Sequence, residues 1–328
     1  MEWKSPFAGN SERMIKSGVC AGLLIILLMC PLFIKSPYLI HIFNLTFIYI
    51  IVAVSFRTIM TSGQLPLSHA GFMGIGAYTS ASVAIWLGWT PWITIPFGAL
   101  VAMGIGVIMG YPFARLRAVY YAMISLFFGI LITSSVKAFE TWTGGAAGLT
   151  GIPTLFGFSK IPYYYFFLGL TSVCLLVLHR FEFSRTGLTW KAIAQSYHVA
   201  ASVGINEARY RILASAIGCL FSGLAGATYA HYNGVIGITS FSLMSTILLL
   251  IYVIVGGAGN FFGPIIGVVL LMTIPELLRG LREYVPYISA AILLIVVYLM
   301  PKGAAGLANS FISWFTEFRK NRRTSDAS

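Results

Sequence analysis

Hydrophobic residues along this chain gather in long runs that are separated by short polar stretches. Each run approaches the roughly 17–25 apolar residues that cross a bilayer as a helix. The runs occupy residues 19–34, 39–60, 68–87, 91–110, 118–137, 162–179, 210–230, 241–256, 262–279 and 286–301. A backbone surrounded by lipid must satisfy its polar groups within its own segment, so runs of this length form helices. The pattern predicts an all-α fold: a polytopic membrane helix bundle of about ten transmembrane helices.

The composition agrees with a lipid environment. Of all residues, 58% are hydrophobic and 9% are charged, and the mean hydropathy is +0.86. In a soluble domain about a quarter of the residues are charged, so water is not the main solvent of this chain. We expect a lipid bilayer to surround it.

The net charge of +12 raises the question of a nucleic-acid partner, which the distribution of the charges answers. When the N-terminus is placed in the cytoplasm and the runs alternate, 16 of the 21 basic residues fall inside. The basic residues left outside are Lys35, Lys137, Lys160, Arg279 and Arg282. This bias is the positive-inside signature, so it needs no nucleic acid to explain it and predicts that both termini are cytoplasmic.

The same alternation divides the chain into a short cytoplasmic segment, a membrane domain and a basic tail. We predict a cytoplasmic N-terminal segment 1–18, a transmembrane domain 19–301 and a cytoplasmic tail 302–328. Two loops are long: 138–161, placed outside, and 180–209, placed inside. The first run follows Lys16 as in a signal peptide, but no small-residue cleavage site follows it, so we expect a retained helix.

The inner loop contains a candidate amphipathic helix. Thr189 can cap a helix, Gly204 can stop it, and apolar residues recur with helical spacing in between. These residues are Trp190, Ile193, Ala194, Tyr197 and Ala201. The pattern leaves two interpretations open: a helix that contacts a partner protein, or one that lies in the headgroup layer of the membrane.

Two stretches rich in glycine, 62–76 and 256–267, interrupt the smooth apolar pattern. Irregular backbone at membrane depth is tolerated where it is buried in protein or lines a wet cavity, so both stretches are candidates for a solute path, the first above all. The path residues are Gly63, Gln64, Ser68, His69, Gly71 and Gly74. The alternative is a cytoplasmic turn in which glycines allow close packing, and a structural role for His69 also stays open.

Small residues elsewhere indicate helix packing. The glycines concerned are Gly223, Gly226, Gly256, Gly257, Gly259 and Gly263. Beyond Gly226, Tyr229, His231 and Tyr232 are expected to anchor the end of their helix at the membrane interface.

Several kinds of chemistry are missing from the sequence. The sole aspartate is Asp326, and no glutamate lies at the centre of a run, which disfavours an ion-coupled secondary transporter. No GxxxxGK[ST] motif is present to hold nucleotide phosphates, so any ATPase is a separate polypeptide. The histidines and cysteines show no metal-ligand spacing, and no paired groups suggest a membrane enzyme. We predict no catalytic residue, no metal and no cofactor in this chain.

Several motifs in order resemble one family. The stretch 63–78, GQLPLSHAGFMGIGAY, is similar to the N-terminal signature of branched-chain amino-acid ABC permeases of the LivM type. The loop 143–153 and the stretches 204–211, 223–231 and 256–264 are similar to later parts of the same family.

The resemblance implies a permease subunit of an ATP-binding-cassette importer for branched-chain or other hydrophobic amino acids. It also implies a second permease, two cytoplasmic ATPases that hold ATP and magnesium, and a periplasmic binding protein. Contact with an ATPase is then expected from Ile193, Tyr197, Ala201, Gly204 and Ile205. The motifs do not identify the solute, so a permease of the same superfamily for urea, amides or sugars is the alternative.

The sequence departs from the family in the cytoplasmic helix. Family members often carry acidic residues there, whereas this chain has Gln195, Ser196, Tyr197 and His198. We therefore expect packing, rather than salt bridges, to hold the ATPase. Pro66 is a second departure, and it is expected to bend the first glycine-rich stretch locally.

Overall fold

A computed structural model of the chain describes residues 36–277, except 117 and 158, together with the single positions 28 and 31. The runs predicted at 19–34 and 286–301, the segment 1–18 and the tail 302–328 lie outside the described residues, apart from those two positions.

Helices form most of the described chain. In order they are α1 (Pro37–Met60), α2 (His69–Trp86), α3 (Pro91–Phe113), α4 (Ala118–Ala138), α5 (Glu140–Thr143), α6 (Lys160–Glu182), α7 (Arg185–Gln195), α8 (Tyr197–Ser202), α9 (Glu207–Asn233), α10 (Leu243–Gly256) and α11 (Gly263–Leu277). The remaining elements are two strands, β1 (Leu149–Thr150) and β2 (Val235–Ile236), and a 3-10 helix (Ile238–Phe241).

The predicted apolar runs between 39 and 279 each coincide with one helix as far as the structure describes them. Within the described residues, α1, α3, α6, α9 and residues 119–138 of α4 are long and apolar enough to cross a membrane, and α10 and α11 are shorter apolar helices. Large apolar side chains such as Ile108 and Phe127 are exposed on α3 and α4, where lipid can solvate them. The prediction of an all-α membrane bundle is confirmed.

The helix α9 crosses α2 and α3 at close range. Glycines permit this contact, because a Cβ at Gly76 would overlap the backbone of Gly223 and one at Gly98 would lie 2.6 Å from the carbonyl oxygen of Gly76. A Cβ at Gly226 would overlap the carbonyl of Met73. The backbones of the three helices therefore approach closely, as small residues allow in membrane bundles.

The loop predicted to be external is attached to the end of α9. Leu149 and Thr150 pair antiparallel with Ile236 and Val235. In addition, Ile152 N–H donates to the carbonyl of Gly234 at 3.1 Å. This short ladder satisfies backbone groups that the loop would otherwise leave unpaired.

Candidate functional site

The first glycine-rich stretch forms a tight turn between α1 and α2. Gly63 has φ +81°, a left-handed conformation that favours glycine, and it allows the chain to leave α1. Gln64 follows with 3% of its surface exposed. Its Oε1 accepts from the hydroxyls of Ser62 and Ser215, each at 3.4 Å. The Oε1 atom of Gln64 therefore has partners within the protein.

His69 begins α2 and is fully buried. The Ser55 hydroxyl donates to the carbonyl of Val52 at 2.8 Å, so it accepts from the Nε2–H of His69, whose nitrogen lies 2.9 Å away. In this tautomer Nδ1 is an acceptor, and it has no hydrogen-bond partner among the described residues. His69 is thus held on one side and has one unused polar atom.

Ser68 and His69 line a small pocket between α1, α2, α3, α4 and α9. Tyr121, Ser215 and Cys219 contribute to its other walls. It has room for about one water molecule, far less than the cavities of ~300 Å³ or more that hold small ligands. The pocket therefore admits no amino acid in this conformation.

The other two residues predicted to line the path, Gly71 and Gly74, pack against side chains. A Cβ at Gly71 would lie 2.9 Å from Cδ1 of Ile132, and one at Gly74 would lie 3.0 Å from Phe241. Both glycines are at helix contacts in this conformation. A role in the solute path stays a prediction for all six residues of the stretch.

The predicted cytoplasmic helix is two helices, and the prediction of one helix from Thr189 to Gly204 is wrong. Thr189 is inside α7, where its hydroxyl donates to the carbonyl of Arg185 at 2.9 Å. The chain extends at Ser196 (φ −160°), whose side chain accepts from the N–H of Val199 and caps α8. Ser196 is a preferred capping residue, so it starts a new helix where the apolar spacing alone suggests continuity.

Because of this break, the apolar residues of the segment do not share one exposed face. Ile193 is 2% exposed, and the fully buried Trp190 donates from Nε1 to the carbonyl of Tyr210 at 2.8 Å. The other residues proposed for ATPase contact are accessible: Tyr197 and Ile205 are half-buried, whereas Ala201 and Gly204 are exposed. Since Ile193 packs inside its own chain, it does not belong to an exposed face.

α7 lies directly against the turn at Gly63. A Cβ at Gly63 would lie 3.2 Å from Cα of Ala194. The helix α7 and the first glycine-rich stretch are therefore in contact.

The second glycine-rich stretch joins α10 and α11 in a tight hairpin. A Cβ at Gly256 would overlap the carbonyl of Gly263, and one at Gly263 would overlap that of Gly257. Gly257 also has φ +103°. Gly259 differs, because nothing lies within 4 Å of the position its Cβ would take, so packing does not require a glycine there.

Arg57 and Glu182 are residues whose role the sequence did not indicate. Their side chains are 1% and 5% exposed and form a buried ion pair. An arginine inside the apolar run 39–60 was the available signal, since a charge in such a run needs a partner.

A polar cluster around His231, at the C-terminal end of α9, was also not predicted. His231 is fully buried, so the prediction of an interfacial anchor is wrong for it. Its Nδ1–H donates to the carbonyl of Pro153 at 2.6 Å. Nε2 is then an acceptor, and the hydroxyl oxygens of Ser80 and Thr94 lie 2.8 Å and 3.1 Å from it. His231 therefore fastens the loop to three helices.

Among the described residues, no group of three or more histidine, cysteine, aspartate or glutamate side chains is placed to hold a metal ion. The polar clusters are linked to helix ends and turns. Their geometry can fix helix positions.

Comparison with known proteins identifies the family. A family model described as "Branched-chain amino acid transport system / permease component" matches residues 38–301. The high-affinity branched-chain amino acid transport system permease proteins LivM of Salmonella typhimurium (strain LT2) and Escherichia coli (strain K12) are each 30% identical, over 86% of this chain and 73% of the relative. The corresponding LivH of Escherichia coli (strain K12) is 24% identical, over 79% of this chain and 91% of the relative. No solved structure matches the chain.

The chain is thus a multi-pass membrane protein of the permease class. It belongs to the family of permease components of branched-chain amino acid transport systems. The predicted family, and the function as a transport permease subunit, are confirmed.

Proposed function

We propose that this chain and a second permease subunit form the translocation pathway of an importer for branched-chain or other hydrophobic amino acids. Two separate cytoplasmic ATPases hold ATP and magnesium, and a periplasmic binding protein delivers the solute. Similarity to both LivM and LivH supports a paired permease. The absence of a GxxxxGK[ST] motif from the sequence supports separate ATPases. The positive-inside bias supports an inner-membrane protein with cytoplasmic termini.

One observation carries this proposal: α7 contacts the turn at Gly63 and is linked to the second glycine-rich stretch through Glu182 and Arg57. Ala194 packs on the turn at Gly63, and Lys191 pairs with Glu182, whose partner Arg57 holds the segment at Gly259. A displacement of α7 by an ATPase would therefore reach both segments where the backbone is irregular. Coupling through a packed element of this kind is how a local contact changes access elsewhere.

The exposed apolar residues of the cytoplasmic segment define the docking face. Leu188, Val199 and Val203 are 63%, 63% and 70% exposed. We place the ATPase contact on these residues together with Tyr197, and not on Ile193. An apolar helix face of this kind fits a groove on a partner protein.

Substitutions that place a charge on this face test the proposal. Val199→Asp and Val203→Asp should reduce co-purification of the ATPase by about tenfold or more, because a carboxylate would be buried without a partner. Ser202→Asp is the matched control, since it adds the same charge to an exposed polar position of α8. It should leave retention of the ATPase near that of the wild type.

Salt dependence separates docking from a position in the headgroup layer. Apolar contact should persist when the salt concentration rises, because screening acts on exposed charges. If Val199→Asp and Val203→Asp retain the ATPase and instead change only membrane association, α8 lies in the headgroup layer and the docking face is wrong.

A further inference from the structure

Arg57 and Glu182 form a buried pair at the ends of two helices that cross the membrane. Nη1 of Arg57 donates to Oε2 of Glu182, and Nη2 donates to Oε1 at 3.0 Å. The two positions are 125 residues apart in sequence. This two-point geometry fixes the relative orientation of the helix ends as well as their distance.

The guanidinium of Arg57 also holds the backbone between α10 and α11. Its Nε donates to the carbonyl of Ala258 at 2.8 Å, and Nη2 lies 3.4 Å from the carbonyl of Gly259. On the other side of the pair, Nζ of Lys191 lies 3.2 Å from Oε1 of Glu182. One cluster therefore joins α1, α6, α7 and the segment 257–262.

The connection from Glu182 to α7 is short. A Cβ at Gly187 would overlap the carbonyl of Glu182, so the backbones of α6 and α7 are in close contact at their junction. Lys191 lies one turn further along α7, and its side chain is 41% exposed. A movement of α7 therefore acts on Glu182 through both the backbone and the lysine.

A buried ion pair is an expensive way to hold helices together, because desolvation offsets much of its attraction. Apolar residues of similar size often stabilise a fold equally well or better. Ionisable residues inside a membrane domain are accordingly most often functional. The unusual feature here is that one arginine serves a carboxylate and two backbone carbonyls at once.

We propose that Arg57 and Glu182 are the positioning residues that transmit movement of α7 to the segment 257–262. This inference rests on the proposed function, in which an ATPase moves α7. When α7 shifts, Glu182 shifts with it, Arg57 follows the carboxylate, and the carbonyls of Ala258 and Gly259 lose or change their donors. The segment 257–262 then adopts a different position relative to α1.

Transport coupling is the first test. In proteoliposomes that contain the whole assembly, Glu182→Gln and Arg57→Lys should lower leucine uptake per ATP hydrolysed by about tenfold or more. Glu182→Gln removes the negative charge of the pair, and Arg57→Lys removes the planar fork that reaches the carboxylate and the carbonyls together. Co-purification of the ATPase should be unchanged, since the docking face is intact. Lys191→Gln, on the surface of the cluster, should lower the same ratio by a smaller factor. Arg185→Gln is the control, because it removes an exposed positive charge from α7 without touching Glu182.

Charge reversal distinguishes this link from a simple ion pair. The double variant Arg57→Glu with Glu182→Arg restores opposite charges but places a carboxylate near the carbonyls of Ala258 and Gly259. It should not recover coupled transport. Recovery to the wild-type ratio would overturn the assigned role for the carbonyl contacts.

A labelling measurement reports the segment directly and requires no transport. Gly259→Cys is accommodated, because its Cβ would meet nothing within 4 Å. In the purified chain without native cysteines, a maleimide should label this cysteine at a rate that changes several-fold when Lys191→Gln or Glu182→Gln is added. Arg185→Gln should leave the rate unchanged.

The outcomes separate the inference from the proposed function. If the wild-type assembly fails to take up leucine with ATP, the proposed function is wrong, whereas the labelling result still stands. If the wild type transports but Lys191→Gln matches Arg185→Gln in both coupling and labelling, the link through α7 is overturned. Should Glu182→Gln fail to fold, the comparison of Lys191→Gln with Arg185→Gln decides the matter.

Discussion

Ala194 in α7 lies against Gly63 at the end of α1, and a Cβ at Gly63 would lie 3.2 Å from Cα of Ala194. The helix α7 therefore lies on the turn that leads to Gln64, Ser68 and His69. This contact joins the proposed docking element to the candidate solute path through packing alone. The contact is possible because Gly63 has no side chain, so a substitution at Gly63 can test it.

Gly63→Ala tests this contact against a matched glycine. Gly63 and Gly204 both have φ +81°, so alanine introduces about 1–2 kcal/mol of backbone strain at either position. Only Gly63 has a neighbour, since nothing lies within 4 Å of a Cβ at Gly204. We expect Gly63→Ala to lower the melting temperature in detergent more than Gly204→Ala does, and to lower uptake as well. Equal effects would show that the contact with Ala194 contributes nothing.

Gly256→Ala and Gly259→Ala form a second matched pair. A Cβ at Gly256 would overlap the carbonyl of Gly263, whereas one at Gly259 meets open space. We expect Gly256→Ala to destabilise the chain by about 3 kcal/mol or more, because overpacking against backbone has little room to relax. Gly259→Ala should be close to neutral. Thermal unfolding of the two purified variants checks this, and similar melting temperatures would contradict the hairpin geometry.

His69 and Gln64 are tested as path residues by transport kinetics. If the stretch 63–76 lines the path, His69→Ala and Gln64→Ala should raise the KM for leucine or lower its rate in assemblies that still form. Ser222→Ala is the control, because the Ser222 hydroxyl donates only to the carbonyl of His69, at 3.1 Å. If both variants keep the KM and the rate of the wild type, His69 and Gln64 have a structural role and do not line the path.

The orientation of the chain is tested at Ala147, which is exposed in the loop 138–161. In a chain whose native cysteines are replaced by alanine, Ala147→Cys should react with an impermeant maleimide from the periplasmic side. The reason is the positive-inside bias, which places this loop outside. Labelling from the cytoplasmic side alone would reverse the proposed topology.

The helices could be predicted because each apolar run has the length that a bilayer requires. Runs such as 39–60 and 210–230 appear as α1 and α9 with small shifts at their ends. Those shifts follow from capping, as at Asn206, whose side chain accepts from the N–H of Arg209 and starts α9. Such local signals are read from a few neighbouring residues.

The segment 189–204 is a place where a local pattern gave a wrong prediction. The spacing of Ile193, Tyr197 and Ala201 favours one helix, but Ser196 offers a cap that lets a new helix begin. Periodicity and capping conflict at this position, and the capped break is observed. The exposed apolar face is therefore formed by Val199 and Val203 and not by Ile193.

The contacts of Arg57 and His231 could not be predicted in the same way. Arg57 meets Glu182 across 125 positions of sequence, and His231 meets Ser80 across 151. Such pairs arise from how the helices pack, and no periodicity encodes them. A charged or polar residue in an apolar run predicts that a partner exists, but it does not identify the partner.

The most direct measurement is uptake of labelled leucine into proteoliposomes that contain this chain, the second permease, the ATPases and the binding protein. We predict uptake that requires ATP, that excess leucine or isoleucine abolishes, and that excess urea or ribose leaves unchanged. The chain alone should neither hydrolyse ATP nor concentrate leucine. Uptake driven by an ion gradient without ATP, or ATP-driven uptake that urea or ribose abolishes and leucine does not, would contradict the proposed function.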